Sequence, residues 1–85
     1  MISIKKEVSK MLTFKLISFK DGFYHYEIYP EGKVEGKGTI IFNPETEELK
    51  KRVETQGSPY DIAHFFQGVT DKNGNLRESG MVAWG

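Results

Sequence analysis

Hydrophobic and polar residues alternate from Met11 to Tyr29, MLTFKLISFKDGFYHYEIY, in two aromatic-rich runs joined by Asp21-Gly22. Alternation with a period of two predicts paired strands. Asp-Gly suits a two-residue type I′ turn, because both central residues need φ > 0, which Gly adopts freely and Asp tolerates. Pairing Phe19 with Tyr24 then stacks Ile17 on Tyr26 and Lys15 on Ile28. That register predicts a core face of Ile17, Phe19, Tyr24, Tyr26 and Ile28. The opposite face is expected to carry Phe14, Leu16, Phe23 and Tyr29 beside Ser18, His25 and Glu27, half apolar and half polar.

Beyond the hairpin, Pro30-Glu31-Gly32-Lys33 predicts a turn, and Gly38-Thr39-Ile40-Ile41-Phe42 a third strand, with Gly36 and Gly38 marking a bulge or a close backbone approach. Residues 43–57 admit two readings. Asn43 as N-cap, Pro44 behind it, early acids and late bases fit a helix. Only Leu49 and Val53 are apolar, however, too narrow a stripe to dock a helix, whereas Leu49, Lys51, Val53 and Thr55 alternate as a strand does. Asn43-Pro44-Glu45-Thr46 also fits a type I turn, and the hairpin is the favoured reading.

Ser58-Pro59-Tyr60-Asp61 combines a Ser N-cap, Pro at the first helical position and an early acid, predicting a helix from Pro59 to about Val69. Ile62, Phe65, Phe66 and Val69 form its apolar stripe, and Gly68 or Gly74 ends it. Met81 to Trp84 reads as a terminal strand that buries Met81 or Val82, with the Trp84 ring at the margin. The expected fold is therefore α+β: an antiparallel β-meander of four to five strands, one amphipathic helix packed on one face, and a C-terminal strand. Residues 1–10 suit helix and strand equally and are read as a loosely attached N-terminal extension of a single domain, 1–85.

Composition narrows the function classes. A chain of 85 residues buries only about 60–65% of its unfolded surface, so the core is thin. The absence of cysteine excludes a disulfide framework and a thiolate metal site and suits a reducing compartment, so a cytoplasmic location is expected. No run approaches the roughly 20 apolar residues of a membrane span. Twelve basic residues balance twelve acidic ones, interleaved along the chain, which counts against nucleic acid as a partner.

The chemistry-bearing residues form weak constellations. His25 and Glu27 share a strand face, but an acid–base or metal site needs a third group, and His64 is the sole other histidine. Asp61 and His64 are three apart on the helix, with no serine elbow or cysteine to act as nucleophile. Asp71-Lys72-Asn73-Gly74-Asn75 begins like a calcium loop, but Leu76 and Val82 stand where an EF-hand needs Gly and Glu. Gly22 to Tyr26 resembles an RNP1 stacking strand only in part: Asp21 stands where that pattern has Lys or Arg and Tyr24 where it has Gly or Ala, and the RRM element order is absent. No Gly-rich phosphate cradle is present.

The reading that follows is a small non-catalytic binding or accessory module that uses no cofactor. It is expected to associate with itself, or with a protein partner, through Phe14, Leu16, Phe23, His25, Glu27 and Tyr29. The alternatives are single-stranded nucleic-acid binding by the aromatic strand, or a small-molecule or metal enzyme site around His25 and Glu27.

Overall fold

A computed structural model describes residues 11–84. Five antiparallel strands, β1 (Met11–Lys20), β2 (Phe23–Pro30), β3 (Gly38–Asn43), β4 (Glu48–Val53) and β5 (Ser79–Ala83), form one sheet in the order β4-β3-β2-β1-β5. A single helix, α1 (Asp61–Gly68), carries the chain from one sheet edge to the other and packs on β5, β2 and β1. This is the α+β meander expected, with five strands. No helix among the described residues is long and apolar enough to cross a membrane. The expected N-terminal extension, residues 1–10, lies outside the described residues.

The Asp21-Gly22 turn forms as anticipated, with φ of 54° and 85°, and Phe19 pairs with Tyr24. The register then departs from the simple one. Leu16 pairs with Tyr26, Phe14 with Ile28 and Leu12 with Pro30, because a β-bulge at Ile17 inserts one extra residue into β1. A one-residue shift turns every preceding side chain to the other face. Phe14 is therefore 2% exposed and Leu16 packs against the core, both on the helix side, whereas Ile17 is 44% exposed. The unbulged register would have pointed Lys15 and Thr13 at the helix. The bulge buries Phe14 and Leu12 instead, each contributing about 1.5–3 kcal/mol. Phe19, also expected in the core, lies beyond the helix and is 56% exposed, its ring 4.4 Å from that of Tyr24.

Strand wins the contest over residues 44–55. The connection is longer than a plain type I turn: Asn43 Oδ1 accepts from Glu45 N–H and Thr46 N–H, Asn43 O accepts from Glu47 N–H, and Glu47 takes φ 64°. A second bulge, at Lys50, pairs Leu49 with Phe42 but Lys51 with Ile41. Leu49 thus falls on the helix side and Lys51 and Val53 on the other, which breaks the single alternation read from the sequence. All six β4 residues are exposed, and its charges and bulge blunt this edge against pairing with other strands.

The helix begins at Asp61, two residues later than predicted, because Ser58 caps a turn instead. Ser58 Oγ accepts from Tyr60 N–H and Ser58 O from Asp61 N–H. Buried Thr55 donates to the carboxylate of buried Asp61 over 2.5 Å and accepts from Gly57 N–H and Ser58 N–H, so the approach to the helix is internally bonded. At the other end Arg77 bonds the last carbonyls, its backbone N–H to Val69 O and its Nη1 to Gly68 O, both 2.8 Å. A cation at the carboxyl end of a helix is favourable.

Ile62, Phe65 and Val69 bury against Leu12, Phe14, Tyr26, Ile28, Ile40 and Phe42, with Val82 added from β5. Phe65 packs edge-on to Phe14 at 5.3 Å and lies 5.0 Å from Tyr26, geometries worth about 0.5–1.5 kcal/mol each beyond the area they bury. Of the two residues offered for burial in the last strand, Val82 is buried and Met81 is 54% exposed.

Candidate functional site

One helix covers one face of the sheet, and no described element covers the other. Strand alternation sends Phe23, His25, Glu27 and Tyr29 of β2 to that open face, since Tyr26 and Ile28 between them are buried on the helix side. Three cross-strand rows follow from the pairing: Ser18, His25, Ile41 and Lys51; Lys15, Glu27, Thr39 and Val53; and Met81, Thr13 and Tyr29. The six residues expected to form one surface are therefore split by the Ile17 bulge. Phe23, His25, Glu27 and Tyr29 stand side by side, whereas Phe14 and Leu16 belong to the hydrophobic core.

Glu27 is the centre of the polar part. Its carboxylate accepts from Tyr29 Oη at 2.7 Å and from Lys37 Nζ at 2.9 Å. These two hydrogen bonds, Lys37 first, hold the carboxyl below its usual range, with the charges of Lys37 and His25 adding to the effect. Desolvation, and then the bond to Glu27, push the Tyr29 hydroxyl up to about 12. At the hairpin end of the same face, Ser18, Lys20, Asp21, Phe23, His25, Ile41 and Lys50 line a cleft of about 240 Å³. Lys50 Nζ lies 5.0 Å from the centre of the Phe23 ring, a cation–π contact supplied by the β4 bulge.

The third group that chemistry at His25 and Glu27 would require is elsewhere. His64 lies on α1, on the far side of the sheet, where its ring stacks on Trp84 at 3.9 Å and 6°. Its Nδ1 is buried without a hydrogen-bond partner among the described residues. Asp61 is engaged with Thr55. In the loop once compared with a calcium site, Asp71 Oδ1 accepts from Asn73 N–H and Asn75 N–H, and Gly74 takes φ 87°. The carboxylate thus builds the turn. Among the described residues no three His, Asp or Glu side chains are placed to hold a metal ion.

A cavity of about 400 Å³ is on the helix side between the β3–β4 loop and the end of α1, bordered by Phe42, Pro44, Leu49, Phe66, Val69 and Leu76. It exists because α1 leans toward β5 and leaves β4 bare. Its walls are apolar, with Glu47 and Glu48 as its titratable groups.

Sequence reasoning missed the lysines of the open face. Of seven lysines among the described residues, Lys15, Lys20, Lys37, Lys50 and Lys51 reach it, drawn from two strands and a loop. They are 36 residues apart at the extremes, so no local charge run announces them. The chain matches no protein-family model, no curated protein and no solved structure, and its own residues are what can carry a functional reading.

Proposed function

We propose that the chain is a small non-catalytic binding or accessory module whose working surface is the open sheet face, acting in the cytoplasm without a cofactor. The observation that carries this reading is the presentation of Phe23, His25, Glu27 and Tyr29 side by side on a face no described element covers. A large apolar and aromatic surface left open on a small protein ordinarily marks an interaction site. The separation of His64 from His25 and Glu27 by the full sheet supports binding over catalysis.

Self-association through this face is the second reading, favoured by the exposed apolar residues Ile17, Val53 and Met81. Amide shift mapping of the full chain tests the surface itself, on dilution of the protein and on titration with oligonucleotides and acidic peptides. Perturbations clustered on β2, β3 and β4 residues of the open face are expected. Perturbations confined to α1 and the Phe66–Leu49 cavity, or none in any titration, overturn the reading.

A further inference from the structure

The zero net charge that counts against a polyanion is a sum over the whole chain, and a binding surface responds to where the charges stand. On the open face they stand apart from their counterparts. Five lysines converge there, and Lys15, Lys20, Lys50 and Lys51 have no carboxylate in ion-pair distance among the described residues. Glu27, the acid in the middle of the face, is already compensated by Lys37 and Tyr29. Among the described residues the other acids are at its hairpin end, Asp21 in the turn, or away from its centre.

The lysines surround a row of rings. Phe23, His25 and Tyr29 share the open face of β2, a central strand, with one side-chain step of about 6.6–6.8 Å between the first two and two such steps, across the Lys37-paired Glu27, between the last two. A sheet face with stacking rings edged by cations suits unstacked bases on a charged backbone, and among the described residues no element protrudes from it to enter a duplex groove.

Building on the open-face reading, we propose that this face binds single-stranded nucleic acid. Bases stack on Phe23, His25 and Tyr29, while Lys15, Lys20, Lys50 and Lys51 take phosphates. A second copy of the chain fits the same face less well, because a two-fold contact would bring these unpaired lysines against one another.

The test is fluorescence anisotropy of labelled oligo(dT) and oligo(rU) with the full chain, in low and moderate salt, with heparin as a polyanion that lacks bases. Three to four neutralised phosphates give a salt slope of about −2 to −3, so affinity should fall by about 20- to 50-fold between roughly 50 and 200 mM salt. Phe23→Ala should weaken oligonucleotide binding by about 5- to 150-fold while leaving heparin binding unchanged. Lys20→Ala combined with Lys50→Ala should weaken both ligands and flatten the salt slope by about 1.4. Lys72→Ala, in the loop beyond the helix, should change neither. Should Phe23→Ala fail to fold, the lysine pair carries the test, since exposed lysines are replaceable without loss of the core.

No oligonucleotide binding in low salt overturns the proposal. So does binding indifferent to Phe23 and matched by heparin, which would reveal a bare cation patch. A chain that sediments as a dimer weakened by Phe23→Ser, and binds no oligonucleotide, also overturns it but leaves the open face as the working surface. Shift perturbations on α1 alone remove both readings.

Discussion

Tyr26 donates its hydroxyl hydrogen to the carbonyl oxygen of Arg77 across 2.6 Å, tying the middle of the sheet to the segment that caps the helix. Burial pushes the Tyr26 hydroxyl up to about 12, with Tyr24 and Glu78 adding to it. Tyr26→Phe should lower stability by about 1–2 kcal/mol, because the Arg77 carbonyl loses its partner in the interior. The pH dependence has a definite sign. An unfolded tyrosine loses its proton near 10 and the folded one near 12, so folding stability falls as pH rises between these values. Urea unfolding at about pH 9 and about pH 11 should show a smaller difference for Tyr26→Phe than for the parent, with Tyr29 supplying what remains.

Lys37 is expected to govern the titration of Glu27. A carboxyl held below its usual 4.5 contributes stability above that value and loses it as pH falls through the depressed one. Lys37→Met should move the Glu27 carboxyl back toward 4.5 and flatten the acid limb of the stability curve. Carbon-13 carboxyl shifts followed through a pH titration read the first effect, and acid unfolding monitored by circular dichroism reads the second.

The Ile17 bulge makes an inverted mutational ranking. Phe14→Ala should destabilise by about 3–5 kcal/mol, as a large buried ring is removed from the core. Ile17→Ser should stay within about 1 kcal/mol, since its side chain is 44% exposed. An unbulged hairpin would give the opposite order, and chemical denaturation of the two variants separates the cases.

Gly38 marks a point where two backbones nearly touch. A Cβ placed there would lie 2.6 Å from Val53 O and 2.9 Å from Thr55 N, and main-chain atoms cannot rotate aside. Gly38→Ala should therefore cost about 1–3 kcal/mol and loosen the β3–β4 pairing. Faster amide exchange at Val53 relative to Tyr26 would register it.

What could be read from the sequence was local. Asp21-Gly22 specifies its own turn, Ile62, Phe65 and Val69 specify a helix face, and the narrow apolar content of residues 43–57 disfavours a second helix, all within a few residues of one another. The bulges at Ile17 and Lys50 carry no such mark. Neither uses glycine, and each is decided by which side chains the helix must cover: Phe14 in preference to Lys15, Leu49 beside Phe42. Since a bulge inverts faces, the error at Ile17 spread to the candidate site, uniting Phe14 and Leu16 with Phe23 and Tyr29 although the sheet separates them. The lysine cluster was hidden for another reason, because it is assembled by strand pairing from positions remote in the chain.

The pairing of β1 with β5 sets the order in which the molecule can be completed during synthesis. Four strands can assemble as a meander of near neighbours, but the outer edge of β1 waits for Ser79–Ala83, 59 residues beyond Lys20. At about 5–20 residues per second, that interval on the ribosome lasts roughly 3–12 seconds. Throughout it, a strand carrying Leu12 and Phe14 offers unsatisfied amides along its outer edge, with the terminal strand not yet in place to pair with them. The nascent chain is thus most vulnerable to mispairing at the strand that becomes one of the best protected in the finished sheet.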